Sequence, residues 1–212
     1  MTAFDPVLAR EIDALAVPGL LIGHRVIAAG DENALWAAEA ASLPSRVAEA
    51  RRASGTARIL ARELLARLGY PNTQVLRGEG GEPVWPSGVV GSLAHDDQVA
   101  VAVVGLQRDF AGVGIDVEPA RELFADTLEV IASAQERHAI DRDLLKARLL
   151  FAAKEAVYKA VYPLDRVFLE FADIEIDLAR RNARTRAGRT VSLRTCASSR
   201  IVVLALIGAA QA

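Results

Sequence analysis

The chain has 212 residues, of which 52% are hydrophobic, so it is long and apolar enough to bury one substantial core or two smaller ones. Its formal net charge of −2 gives no general attraction to nucleic acids, and leaves attraction to charged partners to local patches. The single cysteine, Cys196, excludes an internal disulfide and a cysteine-based zinc site.

The two ends of the chain bear on its location. The first 19 residues contain acids and no basic n-region, so we expect no secretory signal peptide there. The apolar run at 201–210 is too short to span a bilayer, and its β-branched residues favour a buried strand. With so little cysteine, these features predict a cytoplasmic protein without a membrane or nucleic-acid partner.

Periodicity in the first part of the chain predicts one helix and two strands. Leucines recur at helical spacing within 45–69, which predicts a helix. The Gly/Pro-rich stretch 77–88 predicts a loop. Two buried strands are predicted at 89–95 and 99–105, followed by a linker at 106–111.

The second part offers the same kinds of element. A strand at 112–120 precedes a helix around 121–139, and a stronger helix runs from about 143 to 161 and is expected to end at Pro163. Three further strands are predicted at residues 166–176, 189–195 and 200–207. The pattern predicts an α+β fold of two halves, which are residues 1–111 and 112–212.

Two carboxylates share one face of the strand at 112–120. Asp116 and Glu118 alternate there with apolar residues, and alternate residues of a strand share a face. The two charges repel each other unless a cation lies between them. Magnesium prefers oxygen ligands and commonly binds one or two carboxylates plus substrate phosphates, so the pair predicts a metal-binding site. The alternative is two solvated acids at the end of a strand.

The stretch "FAAKEAVYKA" carries the charges of the strong helix. It contains Lys154, Glu155 and Lys159. The chain has 25 basic residues, of which only three are lysines, and two of those three lie in this stretch. This helix is apolar nearly all round, so its charges need partners. We interpret them as part of a buried site for a metal and anionic oxygens. The alternative is a surface ion pair of Glu155 with Lys159.

Basic residues of the first half form a second candidate group. Arg51, Arg58 and Arg62 share one stripe of the helix at 45–69, for which a solvated face is the simpler interpretation. Arg77 begins the glycine-rich loop, where exposed backbone N–H groups can also meet anions. His95 lies between two apolar strands, where either burial or a hydrogen bond to phosphate is open.

Together these motifs resemble a known family. "GVGIDVEP" followed by "FAAKEAVYKA" resembles the paired signature of the Sfp-like 4′-phosphopantetheinyl transferases. Upstream, "RGEGGEPVWPSGVVGSLAH" looks like the coenzyme A-binding segment of that family. The resemblance covers roughly residues 45–165, with the motifs in the family's order.

The resemblance implies a fold, a reaction and a set of site residues. The fold is two similar α+β halves with the active site at their interface. The reaction moves the phosphopantetheine arm of coenzyme A to a serine of an acyl or peptidyl carrier protein and releases adenosine 3′,5′-bisphosphate. The implied ligands of Mg²⁺ or Mn²⁺ are Asp116, Glu118 and Glu155. The implied coenzyme A contacts are Arg51, Arg58, Arg77, Ser92, His95, Lys154 and Lys159, and both lysines are expected near the pyrophosphate and the reacting serine.

Glu155 has two open roles under this resemblance. It can complete the metal site, or it can take the proton from the serine of the carrier. Lys159, one turn away, is expected to keep the carboxylate ionised, which favours a ligand over a base. Ligation is therefore our first expectation and base catalysis the second.

Two other functions fit part of the pattern. Another metal-dependent phosphotransferase or pyrophosphohydrolase would use the same acids and would need no carrier protein. A coenzyme A-binding module without catalysis would keep the arginines and could lose the acids, yet all three acids are present. We expect a monomeric transferase, and the sequence does not name its carrier.

Overall fold

The computed structural model describes residues 4–44 and 47–209 of the chain. The described helices are α1 (Pro6–Asp13), α2 (Ala37–Ser42), α3 (Ala48–Arg67), α4 (Ala125–Ile131), α5 (Ala134–Ile140) and α6 (Leu144–Asp165). The described strands are β1 (Leu20–Val26), β2 (Leu76–Arg77), β3 (Pro83–Val84), β4 (Val89–His95), β5 (Val99–Leu106), β6 (Phe110–Pro119), β7 (Ile174–Asp177), β8 (Asn182–Thr185), β9 (Thr190–Ala197) and β10 (Arg200–Gly208).

The two main sheets repeat one topology. The first sheet has the order β1-β5-β4 and the second the order β6-β10-β9-β8-β7, and every pair within them is antiparallel. In each half, the first strand of the sheet pairs with the last, and the last strand also forms a hairpin with its predecessor. Between the first strand and this hairpin the chain forms a long helix, preceded by one short helix in the first half and by two in the second. The predicted α+β fold is therefore confirmed.

Three clusters of buried side chains hold the layers together. Leu60 and Leu64 of α3 pack against one face of the first sheet, where Val104 points. The opposite face of that sheet packs on the second sheet, through residues such as Val101 and Ile115. The far face of the second sheet is covered by α6. The order of layers is helix, sheet, sheet, helix, because each strand buries alternate residues on both of its faces.

Glycines of β6 allow α6 to approach the sheet closely. A Cβ atom added at Gly114 would overlap the carbonyl oxygen of Ala156, and one added at Gly112 would overlap that of Ala160. These glycines lie on the same strand face as Asp116 and Glu118. The charged face of β6 is therefore turned towards α6 and not towards bulk solvent.

The predicted helices are recovered with two corrections. The expected end at Pro163 is wrong, because α6 continues through Pro163 to Asp165. The missing N–H falls in the last turn, and the Arg166 N–H then closes the helix on the carbonyl oxygen of Tyr162 at 2.9 Å. The single helix at 121–139 is two helices, because Ala132 is extended and Ser133 caps a new helix.

The predicted strands differ from those of the structure mainly outside the central strands of the sheets. The strands at 89–95 and 99–105 are confirmed, but the loop at 77–88 contains the small β2–β3 ladder. The stretch 166–176 is strand only from Ile174, since Val167 and Phe168 are exposed and unpaired with another strand. Strand β8, which lies between β9 and β7, falls in a polar stretch that gave no hydrophobic pattern.

Cys196 lies on β9 and its side chain is half-buried. Burial, followed by the negative charge of Glu11, raises the pKa of this thiol to about 11. Among the residues that the structure describes, none of the helices is long and apolar enough to cross a membrane.

Candidate active site

A cleft of about 230 Å³ lies where the two halves meet. The first half contributes Arg77 and Ser92 to its walls, and the second contributes Glu155, Tyr158 and Lys159 from α6. Four of these five residues were predicted from the sequence as site residues. The cleft therefore joins the two motifs that are 60 or more residues apart in the chain.

Asp116 lies behind this cleft and is tied to Lys159. Its carboxylate is buried, and Oδ1 accepts a hydrogen bond from the Lys159 ammonium at 2.6 Å. The other oxygen, Oδ2, is buried and has no hydrogen-bond partner among the residues that the structure describes. Burial raises the pKa of Asp116, and the charge of Lys159 opposes that shift. An unpartnered buried carboxylate oxygen is costly and is a suitable ligand for a cation.

Glu118 is held by a residue that the sequence analysis did not single out. Arg148 of α6 donates to Glu118 Oε2 at 2.9 Å and also to the carbonyl oxygens of Arg121 and Glu122. Burial, followed by the negative charge of Asp116, raises the pKa of Glu118. Arg148 thus fixes both the second acid and the loop that follows β6. Its position seven residues before Glu155, on the same face of a largely apolar helix, is a signal that could have found it.

Glu155 does not form an ion pair with Lys159, and its pKa is not lowered. The ammonium of Lys159 binds Asp116, and within the described part of the chain no hydrogen bond or ion pair engages the Glu155 carboxylate. Burial raises the pKa of Glu155, and this outweighs the opposite effect of Lys159. Lys159 thus acts on this pKa in the expected direction, but the net shift is upward because burial is the larger effect.

Lys154 is a structural residue in this arrangement. Its ammonium donates to Glu136 Oε2 at 2.8 Å and to the carbonyl oxygens of Phe171 and Ile174 at 2.9 and 2.7 Å. An ammonium has three donors, so all of them are used. The side chain is only 1% exposed. The placement of Lys154 at the pyrophosphate is thus corrected, because no N–H is left for a substrate.

The candidate coenzyme A residues divide into two groups. Arg77 is exposed in the cleft, and within residues 4–44 and 47–209 its guanidinium has one hydrogen-bond partner, the Gly81 carbonyl oxygen, at 3.2 Å from Nη1. Arg58 is buried behind it, with Nε bonded to the Val75 carbonyl oxygen at 2.8 Å. Desolvation lowers the pKa of Arg58, and the nearby charge of Arg77 adds to that effect. The interpretation of the arginine stripe as a solvated face therefore fails at Arg58.

Arg51 and His95 lie outside the walls of the cleft. Arg51 borders a separate surface cavity with α2, where it donates to the Ala40 carbonyl oxygen at 3.4 Å. His95 is exposed at the end of β4, within electrostatic range of Lys159 and Asp116. The two residues are therefore not brought together with Arg77 in this structure.

The three acids do not form a preformed metal cage. Among the described residues, no three side chains of His, Cys, Asp or Glu are gathered closely enough to hold an ion. Lys159 occupies one oxygen of Asp116, and Arg148 occupies one of Glu118. The unpartnered Oδ2 of Asp116 still fits a hard cation that takes its remaining ligands from substrate phosphates and water.

Comparisons with known proteins agree with this division into two parts. Residues 38–105 match a family model described as the 4′-phosphopantetheinyl transferase N-terminal domain. Residues 112–204 match a model of the 4′-phosphopantetheinyl transferase superfamily. Both matched segments contain residues of the cleft.

Several proteins of known name are similar in sequence. The chain is 42% identical over 142 residues to the 4′-phosphopantetheinyl transferase PptT of Mycobacterium tuberculosis, which covers 65% of the chain and 63% of that protein. It is 43% identical over 123 residues to Npt of Nocardia iowensis, covering 57% of the chain and 55% of that protein. It is 38% identical over 148 residues to Svp of Streptomyces mobaraensis, covering 67% and 60%. The aligned regions thus span less than two thirds of these relatives.

Proposed function

We propose, from the premise that this chain belongs to the 4′-phosphopantetheinyl transferase superfamily, that it transfers the 4′-phosphopantetheine arm of coenzyme A to a serine of an apo carrier protein. The observation that supports this proposal is the cleft between the halves, where Arg77 and Ser92 face Glu155 and Lys159. Cations for a pyrophosphate and carboxylates for a metal meet there.

The reaction exchanges one bond to phosphorus for another. The serine oxygen of the carrier bonds to the phosphorus that bears the pantetheine arm. The bond from that phosphorus to the bridging oxygen breaks, and adenosine 3′,5′-bisphosphate leaves with the electron pair. The proton of the serine passes to a carboxylate or to water. Transfer of this kind depends mainly on positioning and on stabilisation of the charge that develops on the leaving phosphate.

Each side chain of the cleft has a task in this scheme. Arg77 binds and orients a phosphate of coenzyme A, because its guanidinium keeps free N–H groups. Lys159 pairs with Asp116 and also lines the cleft, so its ammonium can form an ion pair with the negatively charged pyrophosphate. Glu155, without a partner of its own, either holds the metal or accepts the serine proton.

Asp116, Glu118 and Glu155 are the residues that would hold Mg²⁺ or Mn²⁺. When bound by these residues, the ion would supply Lewis-acid stabilisation of the negative charge that develops on the leaving phosphate. Arg148 keeps Glu118 in position, and Asp116 offers an oxygen that has no other partner. In this proposal the metal ligands all lie in 112–212, whereas coenzyme A is bound from both halves, by Arg77 of the first and Lys159 of the second.

The partner and setting of the enzyme are part of the same proposal. The acceptor is an acyl or peptidyl carrier of fatty acid, polyketide or nonribosomal peptide synthesis. We propose a cytoplasmic monomer, in keeping with one half-buried cysteine and with a cleft that one chain completes.

A single assay tests the proposed function. The protein is incubated with coenzyme A, Mg²⁺ and a purified apo carrier, and the carrier is weighed by mass spectrometry. We expect the carrier to gain the mass of a phosphopantetheine arm, and a parallel reaction with a chelator or with a carrier lacking its serine to give no gain. Cleavage of coenzyme A without a change in the carrier would identify a pyrophosphohydrolase. Binding of intact coenzyme A without turnover would identify a binding module.

A further inference from the structure

Helix α2 carries a buried carboxylate that reaches the coenzyme A side of the cleft. The side chain of Glu39 is 0% exposed. Its Oε2 accepts from Arg62 Nη1 at 2.6 Å and from the Trp36 N–H at 2.9 Å. Its Oε1 accepts from the Val75 N–H at 3.0 Å. Glu39 thus joins α2 to α3 and to the chain segment that leads into the cleft.

The same segment is held at two further points. The Val75 carbonyl oxygen accepts from Arg58 Nε at 2.8 Å. Both backbone polar groups of Val75 are therefore bound, the N–H by Glu39 and the carbonyl by Arg58. Ser42, at the end of α2, accepts a hydrogen bond from the Arg77 N–H at 3.1 Å. Its hydroxyl donates to the Glu39 carbonyl oxygen at 2.8 Å, which fixes its orientation. Residues 75 and 77 are therefore both anchored to α2.

We propose that Glu39 and Ser42 are positioning residues that hold Arg58 and Arg77 in place for the phosphates of coenzyme A. This inference rests on the proposed function for the identity of the ligand. Glu39 places a negative charge among Arg58, Arg62 and Arg77, which would otherwise repel one another. Ser42 sets the backbone from which the Arg77 side chain enters the cleft.

The second half contains a matching arrangement that serves a different end. Glu136 is also the third residue of a short helix, and its Oε2 accepts from the Ser133 N–H at 2.8 Å. It binds a cation of the long helix, Lys154, at 2.8 Å and the Ile176 N–H at 2.8 Å. Lys154 has all three donors engaged, whereas the Arg77 guanidinium, counted over the described residues, keeps four of its five donors free. Only the arrangement in the first half therefore leads to free donors in the cleft.

Calorimetric binding of coenzyme A and steady-state kinetics test this role with two substitutions. Ser42→Ala removes the acceptor of the Arg77 N–H, and Glu39→Gln removes the charge while keeping the shape of the side chain. We expect the Kd and the KM for coenzyme A to rise about two- to tenfold for Ser42→Ala and about tenfold or more for Glu39→Gln. The kcat at saturating coenzyme A stays within about twofold, because neither residue touches the reacting atoms.

Two further variants separate positioning from general stability. Ser42→Thr keeps a hydroxyl and is expected to restore the affinity lost in Ser42→Ala. Glu136→Gln breaks the matching contact in the other half, so we expect a lower melting temperature with an unchanged Kd for coenzyme A. An equal loss of affinity in Glu136→Gln would mean that both substitutions simply loosen the fold, and would overturn the proposal.

The outcomes also distinguish this inference from the proposed function. A wild-type protein that does not bind coenzyme A would contradict the proposed function itself. A wild-type protein that binds it, with Ser42→Ala and Glu39→Gln binding equally well, would contradict only the positioning role. If Glu39→Gln does not fold, the half-buried Ser42 still decides the question through its Ala and Thr variants.

Discussion

At the scale of single residues, Asp116 combines a cost in stability with a proposed task in catalysis. The residue is 6% exposed, and one of its carboxylate oxygens has no hydrogen-bond partner in the described part of the chain. Burying a charged group in this way is unfavourable unless a ligand compensates for it. Functional sites often carry such groups at the expense of stability.

Asp116→Asn is therefore expected to abolish transfer without lowering the stability of the metal-free protein. The amide oxygen still accepts from Lys159, and the buried negative charge is gone. Thermal unfolding in the presence of a chelator should show a melting temperature at or above that of the wild type. Asp109→Asn, at an exposed turn, is the control and should keep full activity. Wild-type activity in Asp116→Asn would remove this residue from the site.

Glu155→Gln separates the two roles of Glu155, since the amide keeps the shape but loses charge and basicity. The carboxylate lies near Asp116 and has no hydrogen-bond or ion-pair partner among the described residues, so we expect it to act as a metal ligand. A higher metal concentration can offset the loss of one ligand. Raising the Mg²⁺ concentration should recover much of the lost rate. A rate that stays down by roughly 10²–10⁴ at every Mg²⁺ concentration would instead identify a general base.

The sequence identified the residue types of the site better than their partners. Alternation along β6 correctly placed Asp116 and Glu118 on one face, because the period of a strand is fixed. It did not show that α6 covers that face, so the pairing of Lys159 with Asp116 was not foreseen. Glu39 gave no signal, since the residue at its helix cap is Trp36, which breaks the usual Ser/Thr-x-x-Glu pattern.

At the scale of elements, the contact between β6 and α6 fixes the geometry of the site. Two glycines of β6 lie directly under the helix that carries Glu155 and Lys159. Helical periodicity predicted the start of this helix and its apolar stripe, but neither its end nor its register against the strand. That register depends on which small residues meet, and this is a property of the packed pair.

Gly114→Ala is expected to be strongly destabilising. The added methyl group would overlap the backbone of Ala156, which cannot move without shifting α6. Overpacking typically costs about 1–3 kcal/mol and more where backbone is involved. We expect a melting temperature lower by at least about 5 °C, together with loss of transfer.

Gly208→Ala is the matched control for this prediction. Gly208 lies in β10, the strand that pairs with β6, and no atom of the described residues beyond its chain neighbours lies within 4 Å of a Cβ added there. This variant should unfold at the wild-type temperature. A Gly114→Ala protein that unfolds at the same temperature as Gly208→Ala would show that α6 can move away from the sheet at little cost.

At the scale of the whole molecule, the two halves share one of the three cores. Val101 and Val103 of the first sheet pack with Ile115 and Leu204 of the second. Arg200 of β10 also pairs with Asp96 at 2.7 Å, across the two sheets. The pattern of elements predicted two halves, but it carried no information about how much apolar surface they bury against each other.

This shared core predicts a single cooperative unfolding transition. The calorimetric and van 't Hoff enthalpies should agree, and probes in both halves should report the same melting temperature. Coenzyme A at 100 times its Kd should add about 2.7 kcal/mol to the free energy of unfolding. Two separate transitions, with only one of them shifted by coenzyme A, would contradict the prediction.

The half-buried thiol on β9 makes the protein easy to label at chosen sites. With a pKa of about 11, Cys196 is almost entirely protonated at neutral pH, and thiol reagents act on the thiolate. A cysteine introduced at an exposed position in each half would therefore react with a fluorophore or spin label well before the native one. The distance between two such labels would report directly on whether the halves close around coenzyme A.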